Sequence, residues 1–352
     1  MRINLKKGLF DEKEFVLVKN NDFTVTTFKY STGVEALKVE NSKGYFIILP
    51  FQGQQIWRAN FCGKELVMKT KCNEPVPNVE YLKTYGGFLL HCGINNTGSP
   101  QDGEKPYPQH GEIPNAEYKT AYIEIEDDYI GVGGELFYDV SFVKNYTFSP
   151  MCKLYKDDTV LKITVSLENR RHSPMEYMYL CHINFRPIDG AELVYRANSV
   201  KAVDGTNDSW AKDKLIPMRD YIKRLDEDYT IHNKVGGENQ VYDPELCFLI
   251  DYKSDENGRT YTLQYTDDGA CYVNHDTKIL PVGVRWISRS EDEESMGMVL
   301  PSTSEHLGYR NAKEKGQVKI LGPMEKIEFT IEAGWLEKAK ADEVKTLIEK
   351  MN

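Results

Sequence analysis

The sequence predicts an all-β fold, a large antiparallel β-sandwich with few short helices. Three observations support this: strand-like runs fill most of the first 290 residues, turn residues separate them, and few segments have helical period. In chain order the runs are Gly44 to Leu49, Ala121 to Ile125, Glu135 to Tyr146, Val160 to Leu167, Tyr177 to Phe185, Cys247 to Tyr252 and Thr260 to Tyr265. Most are rich in Val, Ile, Tyr, Phe and Thr, and several alternate with polar residues, as half-buried strands do. Asp157 and Asp158 precede one run, while Asp255, Asn257 and Gly258 lie between two others, as hairpin turns require. Gly131 to Gly134 lies between strand-like runs rather than before a helix and reads as a turn or bulge. Helical period is clear at the C-terminus, Leu336 to Met351, and a short turn is expected at Gly308 to Lys315. Strands that follow one another without intervening helices pair antiparallel, which excludes a Rossmann-type α/β sheet.

Length and charge narrow the functional classes. With 352 residues and no linker, fixed-period repeat or shift in composition, the chain reads as a single domain over 1–352 with a C-terminal helix at about 336–351. The 54 acidic side chains against 44 lysines and arginines give a net charge of -10, which disfavours nucleic acid and anionic membrane as partners. Charged residues interrupt every apolar run in the first 18 residues, so no signal peptide is expected, and no stretch is apolar enough to span a membrane. The expected location is the cytoplasm. Seven scattered cysteines without a C-x-x-C pair read as reduced, mostly buried small hydrophobes.

Two segments carry candidate chemistry. Gly86 to Asn115 is too dense in Gly, Pro, Asn and Asp from Gly93 onward to form a regular element, yet it holds His91, His110 and Glu112. Long loops in compact domains are usually functional, and residues Gln101 to Lys105 at its tip are placed to cover a site. The second is the strand Glu176 to Arg186. Alternation puts Tyr177, Tyr179, Cys181, Ile183 and Phe185 on one face, and Met178, Leu180, His182, Asn184 and Arg186 on the other, which turns polar at its end. Metal-binding H-x-x-x-H spacing, EF-hand loops, a P-loop and a G-x-S-x-G elbow are absent, which leaves proton transfer by histidine and carboxylate.

Three short elements, in order and spacing, resemble those of the aldose 1-epimerase (galactose mutarotase-like) superfamily. They are Gln109-His110-Gly111-Glu112, His182-Ile183-Asn184-Phe185 and Val241-Tyr242-Asp243, and the resemblance spans about residues 40 to 335. It implies a galactose mutarotase-like β-supersandwich and a reaction that uses no metal or organic cofactor. By the same resemblance His182 is the general acid toward the sugar ring oxygen, and His110 binds nearby. Asp243 grips ring hydroxyls, and a glutamate close to the C-terminus is the base. Two departures stand out. Pro244, followed by Glu245, replaces the histidine that usually follows the aspartate. The catalytic glutamate's element is not recognisable in Met298 to Glu305, which leaves Glu305 as the candidate base, with Glu112 or Glu245 as the alternatives. His91, Asn184 and Glu112 complete the expected sugar-binding set, and Trp57, Trp286 and Trp335 offer faces for sugar stacking.

The expected function is therefore interconversion of the anomers of a small-molecule carbohydrate, a free aldose or related sugar, by acid-base ring opening. The alternative is a non-catalytic sugar-binding or sensing protein on the same scaffold. A sugar-phosphate epimerase ranks lower, because the one adjacent arginine pair, Arg170 and Arg171, falls in an expected turn. A homodimer is compatible with the sequence.

Overall fold

A computed structural model describes residues 1–100, 107–203 and 212–351. Two antiparallel sheets, of nine and thirteen strands, form the body of the molecule. The site depends on five neighbouring strands of the larger sheet. In chain order they are β1 (Leu89–Ile94), β2 (Met175–Ile183), β3 (Leu246–Tyr252), β4 (Val282–Arg289) and β5 (Glu294–Ser302). Across the sheet they run β3-β4-β5-β2-β1.

The alternation expected for the histidine strand is present in β2. Cys181 pairs with His91, and His182 with Leu90, so neighbouring residues face opposite sides of the sheet. The inner face carries Tyr179, Cys181, Ile183, Phe248, Ile250, Met296 and Met298. These pack with Ile123, Val132, Phe148, Ile163, Val165 and Ile331 of the smaller sheet in the main core. The outer face carries a separate apolar cluster of Leu90, Cys92, Leu180, Val284 and Leu300, joined by Tyr81. A sheet buried on both faces reads as near-continuous apolar sequence, and all nine residues of β2 except Glu176 are buried.

Several expectations need correction. The run Glu135 to Tyr146 is a hairpin, with strands Tyr129–Val140 and Lys144–Tyr155 joined through Phe142 in the left-handed region at φ 68°. Gly131 to Gly134 lies inside the first of these strands and is not a turn. A Cβ on Gly131 would come 2.8 Å from the Met151 sulfur, and one on Gly134 would come 2.5 Å from Gln54, so the glycines make room for neighbouring side chains. Besides α2 (Gly308–Glu314) and α3 (Lys338–Lys350), a helix α1 occupies Lys212–Glu227. Its buried residues Leu215, Met218, Tyr221 and Leu225 have helical spacing, but Pro217 hides the pattern.

One charge lies deep between the sheets. Arg285, in the middle of β4, is fully buried. The β4–β5 register shifts between Val284 and Trp286, and Arg285 Nε donates to the Met298 carbonyl at 2.8 Å. Its other nitrogens meet His232 Nε2 at 2.6 Å and the Tyr252 hydroxyl at 3.4 Å, and the guanidinium lies over the Tyr195 ring. None of these partners is a carboxylate.

Candidate active site

A cavity of about 450 Å³ opens on the outer face of the larger sheet. Its floor is Leu180 and His182 of β2, Cys247 of β3, Val284 and Trp286 of β4 and Leu300 of β5. Three connections wall it: Tyr81 to Tyr85, the loop residues Gly98 to Pro100 with Gln109 and His110, and His306 with Leu307 ahead of α2. Glu245, immediately before β3, completes the lining. No lysine or arginine among the described residues lines it.

The loop delivers His110 through two consecutive left-handed residues, His110 at φ 58° and Gly111 at φ 80°. Gly111 is required there, because a Cβ would sit 2.0 Å from the Gly93 carbonyl oxygen. The turn is tied to β1 and to itself: Gly93 N–H donates to the His110 carbonyl at 2.8 Å, and His110 N–H to that of Gly98 at 2.9 Å. Gly98 N–H in turn donates to His110 Nδ1 at 3.2 Å. Behind this turn, Glu112 accepts from the Tyr146 hydroxyl at 2.6 Å and from Asn95 N–H at 3.1 Å.

Aromatic rings form one wall. Tyr81 lies 4.6 Å from His110 between ring centroids and 5.1 Å from Tyr85. His182 stands 5.4 Å from His110 and 5.3 Å from Trp286, edge to face in both cases. Apolar faces with polar tips at intervals suit a ligand that has C–H faces and hydroxyl edges. Trp286 Nε1 donates to Glu245 Oε2 at 2.6 Å. Trp286 thus touches both the imidazole of His182 and the carboxyl of Glu245.

Burial sets the protonation states. It holds the imidazole of His182 down to about 3, against the opposing pull of its Asn184 bond. It holds His306 down to about 4 and His110 well below the usual range, the latter helped by the neighbouring His182 and His306. All three are neutral near pH 7. Burial raises the carboxyl of Glu245 above its ordinary value, and the indole bond partly opposes the shift. A group whose neutral form is favoured in a cleft is suited to proton transfer. Among the described residues no group of three or more His, Cys, Asp or Glu side chains is placed to hold a metal ion.

The structure brings His110 and His182 together, and distributes the other expected residues elsewhere. Glu305 is not in the cavity: Lys315 Nζ grips both its carboxylate oxygens, at 2.9 and 2.7 Å, and Gln317 bonds its backbone N–H. Asp243 does not line it either, because Lys214 holds both oxygens at 2.7 Å. His91 points to the inner face, bonded to the Tyr179 hydroxyl at 2.8 Å and edge-on to Phe148. Glu112 braces the loop. Asn184 bonds His182 Nδ1 and does not line the cavity. Trp57 and Trp335 are core residues, and Trp286 alone of the three lines the cavity. Residues Gln101 to Lys105 lie outside the described residues. Sequence reasoning missed His306 and ranked Glu245 behind Glu305 as a base, although Glu245 keeps the i+2 alternation with Cys247 and so shares its face.

The chain belongs to the family described as a domain of unknown function (DUF4432), whose model matches residues 31–334. Among solved structures it is similar to a provisionally named aldose 1-epimerase from Klebsiella pneumoniae, at 19% identity, with 100% of this chain and 91% of that one covered and a TM-score of 0.79. It is also similar to a galactose mutarotase-like protein from Clostridium acetobutylicum, at 14% identity, covering 90% of this chain and 100% of that one, with a TM-score of 0.63. No curated protein matches the sequence significantly. The fold is galactose mutarotase-like.

Proposed function

From the galactose mutarotase-like fold, and from a cavity in which the Trp286 indole touches both a carboxyl group and an imidazole, we propose that this protein interconverts the anomers of a free sugar. Anomer exchange needs a proton removed from the anomeric hydroxyl and a proton delivered to the ring oxygen. Two titratable groups at opposite edges of the bound sugar meet that need. Glu245 and His182 are that pair. His110 is a hydrogen-bonding group beside them, and the Tyr81, Tyr85 and Trp286 rings pack on the sugar's C–H faces. The observation that carries the reading is the Glu245–Trp286–His182 contact within a single cavity of small-molecule size.

The test is NMR exchange spectroscopy on a panel of free aldoses with purified protein. Accelerated exchange for at least one sugar is expected, falling by ~10²-fold or more in Glu245→Gln, which keeps the shape and loses the proton chemistry. Full activity in Glu245→Gln refutes the assignment. One observation favours a second reading, a sugar-binding protein without turnover: the carboxylate of Glu305, where the resemblance puts the base, is occupied by Lys315. Sugar-induced spectral changes with no added exchange would select it.

A further inference from the structure

His182 and His110 both show a ring to the cavity, but their back sides are wired oppositely. Behind His182, the Asn184 amide donates through Nδ2 to the Gly87 carbonyl at 3.0 Å, which orients the amide and turns its Oδ1 toward the imidazole. That oxygen lies 2.7 Å from His182 Nδ1 and also receives the Tyr85 hydroxyl at 3.1 Å. An amide oxygen only accepts, so Nδ1 carries the proton and Nε2 of the neutral ring is bare. Behind His110 the relation is reversed: the Gly98 N–H only donates, so Nδ1 accepts and Nε2 carries the proton.

We infer that Asn184 is a positioning residue that makes His182 the proton acceptor of the pair, with the Glu245 carboxyl as the donor, the reverse of the acid role that the resemblance gives His182. The inference rests on the proposed function and assigns the direction of its proton transfers. His182 Nε2 takes the proton of the anomeric hydroxyl as C1 becomes a carbonyl. The bond from C1 to the ring oxygen breaks, its electron pair goes to that oxygen, and the oxygen takes a proton from Glu245 in its carboxylic acid form, the form that burial favours. Imidazolium and carboxylate result. After rotation about the bond from C1 to C2, the same two protons return and the other anomer forms. His110, with Nε2–H outward, donates a hydrogen bond to a sugar oxygen and moves no proton.

The surroundings of His182 agree with a neutral start. The titratable groups that share its cavity are Tyr81 and Tyr85, His110, His306, Cys247 and Glu245. Burial favours the neutral form of both tyrosines and of the cysteine. A ring that begins as imidazolium would face no carboxylate through Nδ1, only the Asn184 amide oxygen at 2.7 Å and the Tyr85 hydroxyl at 3.4 Å.

The experiment is nitrogen NMR of histidine-labelled protein, which separates bare from protonated ring nitrogens without any substrate. For wild type near pH 7 the expected spectrum has Nδ1 of His182 protonated and Nε2 bare, with the opposite pattern for His110. Asn184→Asp keeps the shape and puts a carboxylate against Nδ1–H, so the titration of His182 should move upward. Asn184→Leu removes the acceptor that fixes Nδ1–H, and kcat for exchange should fall ~10-fold or more, with KM changed less. His182 found as imidazolium or with Nε2 protonated in wild type overturns the inference while anomer exchange, if present, leaves the proposed function standing. An unmoved His182 titration in a folded Asn184→Asp also overturns it. Tautomers as stated with no exchange for any sugar would remove the catalytic role together with the proposed function, and the positioning of the ring by Asn184 would remain.

Discussion

His91 and His182 stand on paired strands, one residue out of step, and are buried to nearly the same extent. Both are held neutral, with burial pushing each imidazole down to about 3. What separates them is the face. On the inner face His91 has its Tyr179 partner and the Phe148 ring against it, and the space beyond is filled core. On the outer face His182 has one nitrogen fixed by Asn184, while its ring borders a cavity. A buried, depressed histidine is therefore not by itself a functional histidine. The distinguishing property is a ring edge left facing open volume.

The two positions should fail in different ways. The largest effect is expected at His182: His182→Gln should lower anomer exchange by ~10²- to 10⁴-fold, as loss of a positioned proton-transfer group does, with stability within about 1 kcal/mol of wild type. Exchange assays beside urea unfolding check both halves, and an unfolded His182→Gln would erase the distinction. At His91 the stability should carry the loss. His91→Ala opens a core cavity and strands the Tyr179 hydroxyl, so about 2–4 kcal/mol of unfolding free energy should disappear while turnover per folded molecule stays near wild type. Replacing both partners in a His91→Phe, Tyr179→Phe double variant should recover most of that loss, since no buried polar group is left alone.

Acid sharpens the same contrast. The unfolded chain protonates histidine from about pH 6.5 downward, whereas folded His91 resists until about 3. Its contribution to stability is therefore full above pH 6.5 and lost as the pH falls toward 3, with a slope of about 1.4 kcal/mol per pH unit. The double variant lacks that group, so its stability should decline less steeply between pH 6 and 4, read as the urea midpoint at each pH. The smallest effect is expected at Glu305. Glu305→Gln loosens a pair with a half-exposed lysine, worth at most about 1 kcal/mol, and should leave exchange within ~3-fold of wild type.

The physics of each element decided how much of it was visible in the sequence. The face of β2 was legible because a strand repeats every two residues, so Tyr179 and Cys181 had to separate from Leu180 and His182. The His110 turn was legible as a loop with Gly111 where the backbone needs it. Glu305 and Asp243 were not legible as surface pairs, because Lys315 lies ten residues from one and Lys214 twenty-nine from the other. Such neighbours leave no periodic trace. His306 likewise follows a bend after β5, where alternation no longer predicts direction. Glu245 was within reach, but its signal was a continuation of strand parity into a loop. The helix α1 was hidden by a proline that the first turns of that helix accommodate.

The buried guanidinium of Arg285 pins the register of β4. If β4 slid one residue along its neighbours, every side chain on it would change faces. The Trp286 indole would be driven into the interior space of Arg285, and the Met298 carbonyl, the His232 ring and the Tyr252 hydroxyl would be left dry without their donor. An off-by-one sheet is thereby penalised on the strand whose indole reaches Glu245. The register that satisfies Arg285 is thus the one that sets Trp286 against both Glu245 and His182.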